Sequence, residues 1–141
     1  MEEIKFKNNK IIAWDLGGAE KIRPLWERYY KNIDGIIYII DSSDDEERME
    51  TNRKEIERIS SSLEKNGSLE STVCLILANK QDLCEAKTVS DIASELELIS
   101  CKIKNWNILP SSAILDEGLE KAFSWLINAI QKVQISLKSR E

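Results

Sequence analysis

Two stretches leave the chain little freedom in how it folds. Ile36-Ile37-Tyr38-Ile39-Ile40 and Val73-Cys74-Leu75-Ile76-Leu77-Ala78 are uninterrupted apolar runs of strand length. A strand with one wet face alternates apolar and polar residues. A continuous run is expected where both faces are covered, as in the parallel sheets of α/β proteins. Between and after these runs the apolar period becomes that of a helix. Glu46 to about Asn66 sets Met49, Ile56, Ile59 and Leu63 on one face, with Gly67 just past the end. From Leu119, apolar residues recur at Ala122, Phe123, Leu126, Ile127, Ile130 and Val133, the stripe of a terminal helix. Ser90 to Leu96 reads as a short helix capped by Thr88 or Ser90, and Asn105 to Leu109 as a weaker strand. Near the start, Ile4–Lys7 and Lys10–Asp15 flank Asn8-Asn9 as the arms of a hairpin, and Ala19 to about Asn32 is irregular or helical. Strands alternating with helices predict an α/β fold, a mostly parallel sheet flanked by helices. With no repeat or linker in 141 residues, one domain over 1–141 is expected.

Composition removes several functions. Twenty Lys+Arg against 25 Asp+Glu gives −5, which argues against binding nucleic acid through a basic face. The absence of histidine excludes Ser-His and Cys-His nucleophile pairs and imidazole zinc sites. Cys74, Cys84 and Cys101 are odd in number and form no Cys-x-x-Cys, which points to a reducing, cytoplasmic compartment rather than a disulfide framework. No apolar stretch approaches membrane-spanning length, and the first residues do not form a signal peptide. Glu2 stands where myristoylation needs Gly, and Lys-Ser-Arg-Glu is no prenylation box, so no lipid anchor is expected from these residues.

In open α/β sheets ligands bind beyond the carboxyl ends of the strands, so chemistry is sought there. The second hairpin arm ends in Trp14-Asp15-Leu16-Gly17-Gly18. Such an Asp can hold Mg²⁺ directly or through water, and paired glycines let backbone N–H groups approach a phosphate; an ordinary turn uses the same residues. The run to Ile40 continues into Asp41-Ser42-Ser43-Asp44-Asp45, which suits a loop and the N-cap of the next helix. The run to Ala78 continues into Asn79-Lys80-Gln81-Asp82. An aspartate there can accept hydrogen bonds from the N1–H and amino group of guanine. Adenine lacks both donors and would leave the carboxylate unpaired. The lysine stem can lie along the base, and the asparagine can tie neighbouring loops. Ser111-Ser112-Ala113 follows the last strand, where a backbone N–H can meet the guanine O6.

With these motifs in this order, the chain resembles the ADP-ribosylation factor (Arf and Arf-like) family of small GTPases. The resemblance runs from the hairpin through Trp14–Gly18, Lys21-Ile22-Arg23-Pro24-Leu25-Trp26 and Asn79–Leu83 to Asn105-Trp106 and the terminal helix. It implies a GTP/GDP switch with Mg²⁺, of the phosphate-loop NTPase fold, acting in vesicle and membrane traffic. Exchange factors, GTPase-activating proteins and effectors would be its partners. Asp15, Leu16, Gly17, Gly18 and Ala19 would lie in the second switch, with Asp15 reaching Mg²⁺ through water. Asn79, Lys80, Gln81, Asp82, Ser112 and Ala113 would hold the base. Trp14, Ile22, Leu25 and Tyr29 would meet partners, although core packing is the ordinary use of such residues. The family's Gly-x-x-x-x-Gly-Lys-Ser/Thr loop does not occur in these residues. The resemblance therefore implies a chain that starts at the family's second strand, without the first strand, phosphate loop, first helix and first switch. Ala19 stands where the family has the Gln that orients the attacking water, so no catalytic residue is expected and turnover should be slow. Three readings follow: a switch represented by part of its chain, a decayed pseudo-GTPase serving only as an interaction module, and an unrelated α/β enzyme.

Overall fold

The computed structural model describes residues 1–19 and 21–140. A hairpin of β1 (Glu2–Phe6) and β2 (Asn9–Ala13) comes first, followed by a 3₁₀ helix at Arg23–Tyr29. Then come β3 (Gly35–Asp41), α1 (Glu46–Lys65), β4 (Val73–Asn79), α2 (Val89–Glu95), a 3₁₀ turn at Leu98–Ser100, β5 (Trp106–Pro110) and α3 (Leu119–Lys138). β3, β4 and β5 form a parallel sheet in that order, with Gly35 opposite Val73 and Cys74 opposite Trp106. The hairpin is a separate antiparallel sheet.

Local chemistry accounts for the helix ends. Asp45 caps α1 by accepting the Arg48 N–H, and Gly67 takes the left-handed conformation just past its end. Thr88, rather than Ser90, caps α2 through the Asp91 N–H. Met49, Ile56, Ile59 and Leu63 of α1 are buried with Ile40, Ile76 and Ile92 on one side of the sheet. Val73, Leu75 and Leu77 meet Ala122 and Leu126 of α3 on the other. Each such side chain contributes about 1.5–3 kcal/mol by leaving water.

Three expectations need correction. The hairpin turn lies at Lys7-Asn8, one residue earlier than Asn8-Asn9, with Lys7 at φ 53°. β2 stops at Ala13, so Trp14 and Asp15 lie just beyond it. β3 is covered on one face only. Tyr38 and Ile40 are buried beside α1, but Ile37 and Ile39 are 37% and 63% exposed, because α3 packs over β4 and meets β3 only at its start, where Leu126 and Ile130 lie against Gly35. The hairpin instead packs along α3: Phe6 stacks on Phe123 at 5.8 Å, and Lys7 Nζ donates to Ser124 Oγ at 2.9 Å.

The two outer edges of the parallel sheet differ. In a parallel ladder alternate residues of an edge strand turn both backbone groups outward. The bonds from Val73 N–H to the Asp34 carbonyl and from Ser42 N–H to the Asn79 carbonyl place Gly35, Ile37, Ile39 and Asp41 in that outward set on β3. No proline, lysine or bulge guards this edge. On β5 the outward residues are Trp106, Ile108 and Pro110. Pro110 has no N–H, and the Ile108 N–H donates to Asn107 Oδ1 at 2.8 Å.

Candidate functional site

The carboxyl ends of β3, β4 and β5 converge on one loop cluster, built around Asn79-Lys80-Gln81-Asp82. Asn79 closes β4, and its Oδ1 accepts the Ser111 hydroxyl and the Ala113 N–H, both at 3.1 Å. The Gln81 N–H donates to the Ser111 carbonyl, and its side-chain amide donates to Ser42 Oγ at 2.8 Å and the Lys87 carbonyl at 3.1 Å. Asn79 and Gln81 therefore brace the loop against both neighbouring strands. Asp82 is exposed, with one carboxylate oxygen accepting the Ser112 hydroxyl at 2.8 Å. That bond fixes the carboxylate's orientation and leaves its second oxygen open to a donor. Ser112 is itself held by a bridge to Glu117. The loop can close there because Gly118 sits at φ 81°, where a Cβ would lie 2.4 Å from the Pro110 carbonyl oxygen.

Two members of the cluster, Asp41 and Ser42, carry no more in the sequence than a loop and a helix cap would. Lys80, held at φ 65°, donates to Asp41 Oδ2 at 2.8 Å, and Asp41 Oδ1 accepts from the Ser43 N–H and hydroxyl. Partial burial by itself raises the Asp41 carboxyl. The Lys80 and Ser43 hydrogen bonds outweigh it and bring the pKa down to about 2. Ser42 is buried and receives Gln81. The only sequence signal for either was position at a strand end, which the needs of a loop and a helix cap also explain. Asp45 alone performs the capping.

A lowered carboxylate pKa stabilises the fold above the unfolded-state value, and that contribution disappears as pH falls through the folded value. Asp41→Asn is therefore expected to destabilise by about 1 kcal/mol or less, since the pair is partly exposed. The difference should hold at neutral pH, shrink below about pH 4 and vanish near pH 2. Denaturant melts of both proteins across pH test this; a difference that grows in acid would reverse the sign.

Asp15–Ala19 lie elsewhere, between the hairpin and the 3₁₀ helix. The Gly17 carbonyl accepts Trp26 Nε1 and the Gly18 carbonyl accepts Arg23 Nε, each at 2.9 Å. The Ala19 carbonyl accepts the Ile22 and Arg23 N–H groups. Among the described residues no hydrogen bond or ion pair joins this segment to the Asn79–Asp82 cluster. Trp14, Ile22, Leu25 and Tyr29 are exposed, and Trp14 packs on Tyr29 at 5.5 Å. Exposed apolar side chains grouped in this way are unusual on a solitary surface.

The cluster offers an exposed, oriented carboxylate on a braced loop, which is the chemistry a guanine base would need. The backbone N–H groups of Ser111, Ser112 and Ala113, one of which is expected to meet O6, are given to the Ala78 carbonyl, the Glu117 carbonyl and Asn79 Oδ1, so a base would have to share one. Among the described residues no three metal-ligating side chains converge. No described helix is long and apolar enough to cross a membrane. Burial pushes the Cys74 thiol up to about 12, so it is no nucleophile.

A parallel sheet covered by helices on both sides, with an Asn-Lys-x-Asp loop braced at its carboxyl end, defines a small-GTPase fold. The chain belongs to the ADP-ribosylation factor family, whose model matches residues 1–130. It is 38% identical over 135 residues to ADP-ribosylation factor-like protein 1 of Saccharomyces cerevisiae, covering 96% of this chain and 71% of that protein. It is 38% identical over 130 residues to ADP-ribosylation factor J of Dictyostelium discoideum, covering 92% of this chain and 66% of that one. Among solved structures it is similar to the Arl6 BBS3 small GTPase from Trypanosoma brucei with bound nucleotide analogue GppNp. The TM-score is 0.82 at 30% identity, over 93% of this chain and 78% of that one. The chain thus spans between 66% and 78% of the length of these relatives.

Proposed function

We propose that this chain carries the base-recognition part of an Arf-like guanine-nucleotide switch. The observation that carries the reading is Asp82, oriented by Ser112 at 2.8 Å with an oxygen left open. Ionised, it is an acceptor-only group, matched to the two adjacent donors of guanine. Lys80 supplies its stem to the face of the base, and Asn79 and Gln81 keep the loop in place. Asp15–Ala19 form the second switch, with Asp15 reaching Mg²⁺ through water when the nucleotide brings it. Trp14, Ile22, Leu25 and Tyr29 form the surface through which effectors, exchange factors and GTPase-activating proteins engage it in membrane traffic. The solved relative with bound GppNp supports a nucleotide ligand. The lack of a phosphate loop in these residues favours a second reading, an interaction module that uses the same aromatic surface without a nucleotide.

The test isolates the base from the phosphates. Millimolar GMP is expected to shift the amide resonances of Asn79–Asp82 and Ser111–Ala113, while AMP leaves them in place. Equal shifts with both nucleotides would overturn the guanine reading and favour the module.

A further inference from the structure

At the opposite end of the sheet, away from the candidate base pocket, a groove of about 640 Å³ runs between α3 and the start of β5. α3 contributes two parallel rows with four-residue spacing. Trp125, Ala129, Val133 and Leu137 are apolar and line the groove; beside them run Asn128, Lys132 and Ser136, with Arg140 in the turn just past the helix end. Trp106 of β5 continues the apolar floor, and Lys104 flanks it. The lining holds three cations, Lys104, Lys132 and Arg140, against one carboxylate, Glu70. That local excess of two positive charges stands on a chain whose net charge is −5. Glu70 demonstrates what the cations can hold: its carboxylate receives Lys104 at 3.2 Å and Arg140 at 3.1 Å. Among the described residues Lys132 makes no ion pair.

We propose that this groove docks an acidic amphipathic helix of a partner protein, its apolar row on Trp106 and Trp125 and its carboxylates on Lys104, Lys132 and Arg140. Charge complementarity selects the acid. The β5 edge favours a helix over an added strand: beyond Trp106 it offers no free outward N–H, since Ile108 donates to Asn107 Oδ1 and Pro110 has none. A membrane fits less well, because the apolar row is recessed in a groove and the chain as a whole repels anionic lipid.

The probe is a labelled helical peptide of about eighteen residues with a leucine row beside a glutamate row, read by fluorescence anisotropy. Lys132→Glu is expected to weaken binding about tenfold or more, and a peptide with Gln in place of Glu to bind about tenfold more weakly. Glu70→Gln frees Lys104 and Arg140 and should strengthen binding several-fold, which a purely structural role for Glu70 would not do. Lys132 is exposed, so its reversal leaves the core intact; near-UV circular dichroism of each variant checks this. Failure of the acidic peptide to bind, or equal binding of the Gln peptide, overturns the proposal. So does binding unchanged by Lys132→Glu. Pelleting with phosphatidylserine vesicles that the peptide competes away would assign the groove to lipid, and self-association abolished by Lys132→Glu would assign it to a second copy.

Discussion

Titrated with GTP and Mg²⁺, the 141-residue chain is expected to bind no more tightly than roughly micromolar to millimolar. On the proposed reading the Asn79–Asp82 cluster holds the base, but nothing among these residues forms a phosphate loop. A loop at a helix N-terminus supplies several backbone N–H donors and a lysine to the phosphates. Charge-assisted hydrogen bonds contribute about 1.5–3 kcal/mol each, so the lack of three lowers binding by roughly 5–9 kcal/mol. That is about four to six powers of ten in affinity. Stability shares the cause. β3 presents an unguarded edge and leaves Ile37 and Ile39 exposed, while the hairpin stands as its own sheet. A strand lying between β2 and β3 would pair that edge, and in its absence the edge is a template for aggregation. Calorimetry with GTP and Mg²⁺, beside near-UV circular dichroism and light scattering, is the measurement. Ile39→Lys should slow aggregation without altering the nucleotide loop. Nanomolar GTP binding with a cooperative melt would show that the remaining residues assemble a phosphate site of their own.

Asp82→Asn should exchange guanine for xanthine selectivity. The substitution sets an N–H donor against guanine's own donor and removes the charge from the surviving contact. Xanthine carries an oxygen where guanine carries its amino group, so the same amide finds an acceptor there. Two hydrogen bonds to a charged acceptor, at about 1.5–3 kcal/mol each, set the loss of GTP affinity at roughly 10²–10⁴-fold. Xanthosine triphosphate should gain by a similar order. The measurement belongs in a chain carrying a family strand, phosphate loop and helix ahead of Met1, so that the wild-type affinity is high enough to fall. Unchanged GTP affinity in that background would remove Asp82 from the base pocket and with it the proposed recognition. Ser112→Ala serves as the companion. It should weaken GTP by less, because it removes the hydroxyl that orients Asp82 and leaves the carboxylate itself.

The parts of the fold that local pattern encodes were legible in the chain. Helical spacing marked α1 and α3, and Met49, Ile56, Ile59 and Leu63 are buried as that spacing requires. The run Val73–Ala78 is buried throughout because α1 and α2 cover one face and α3 the other. The equally apolar run Ile36–Ile40 carries the same local signal, yet one face stays open. Whether a face is covered depends on what another segment places over it, and no residue within the strand reports that.

The candidate site divides in the same way. Asn79-Lys80-Gln81-Asp82 could be read as a base-recognition motif because its residue types and spacing are contiguous. The order of motifs along the chain sufficed to point to the family. The contacts that set the loop's geometry could not be read, because they join residues remote in sequence. Lys80 meets Asp41 across 39 positions, and Asp82 meets Ser112 across 30. Parallel strands bring those ends together only when the crossovers through α1 and α2 are complete, since a parallel pair cannot form through a short turn. The sequence by itself determined the periods of the elements, their order and the chemistry available at each strand end. The tertiary structure alone decided which strand ends meet, which carboxylate is paired and which left open, and which sheet edge is exposed, because each of these is an interaction between segments rather than a property of one.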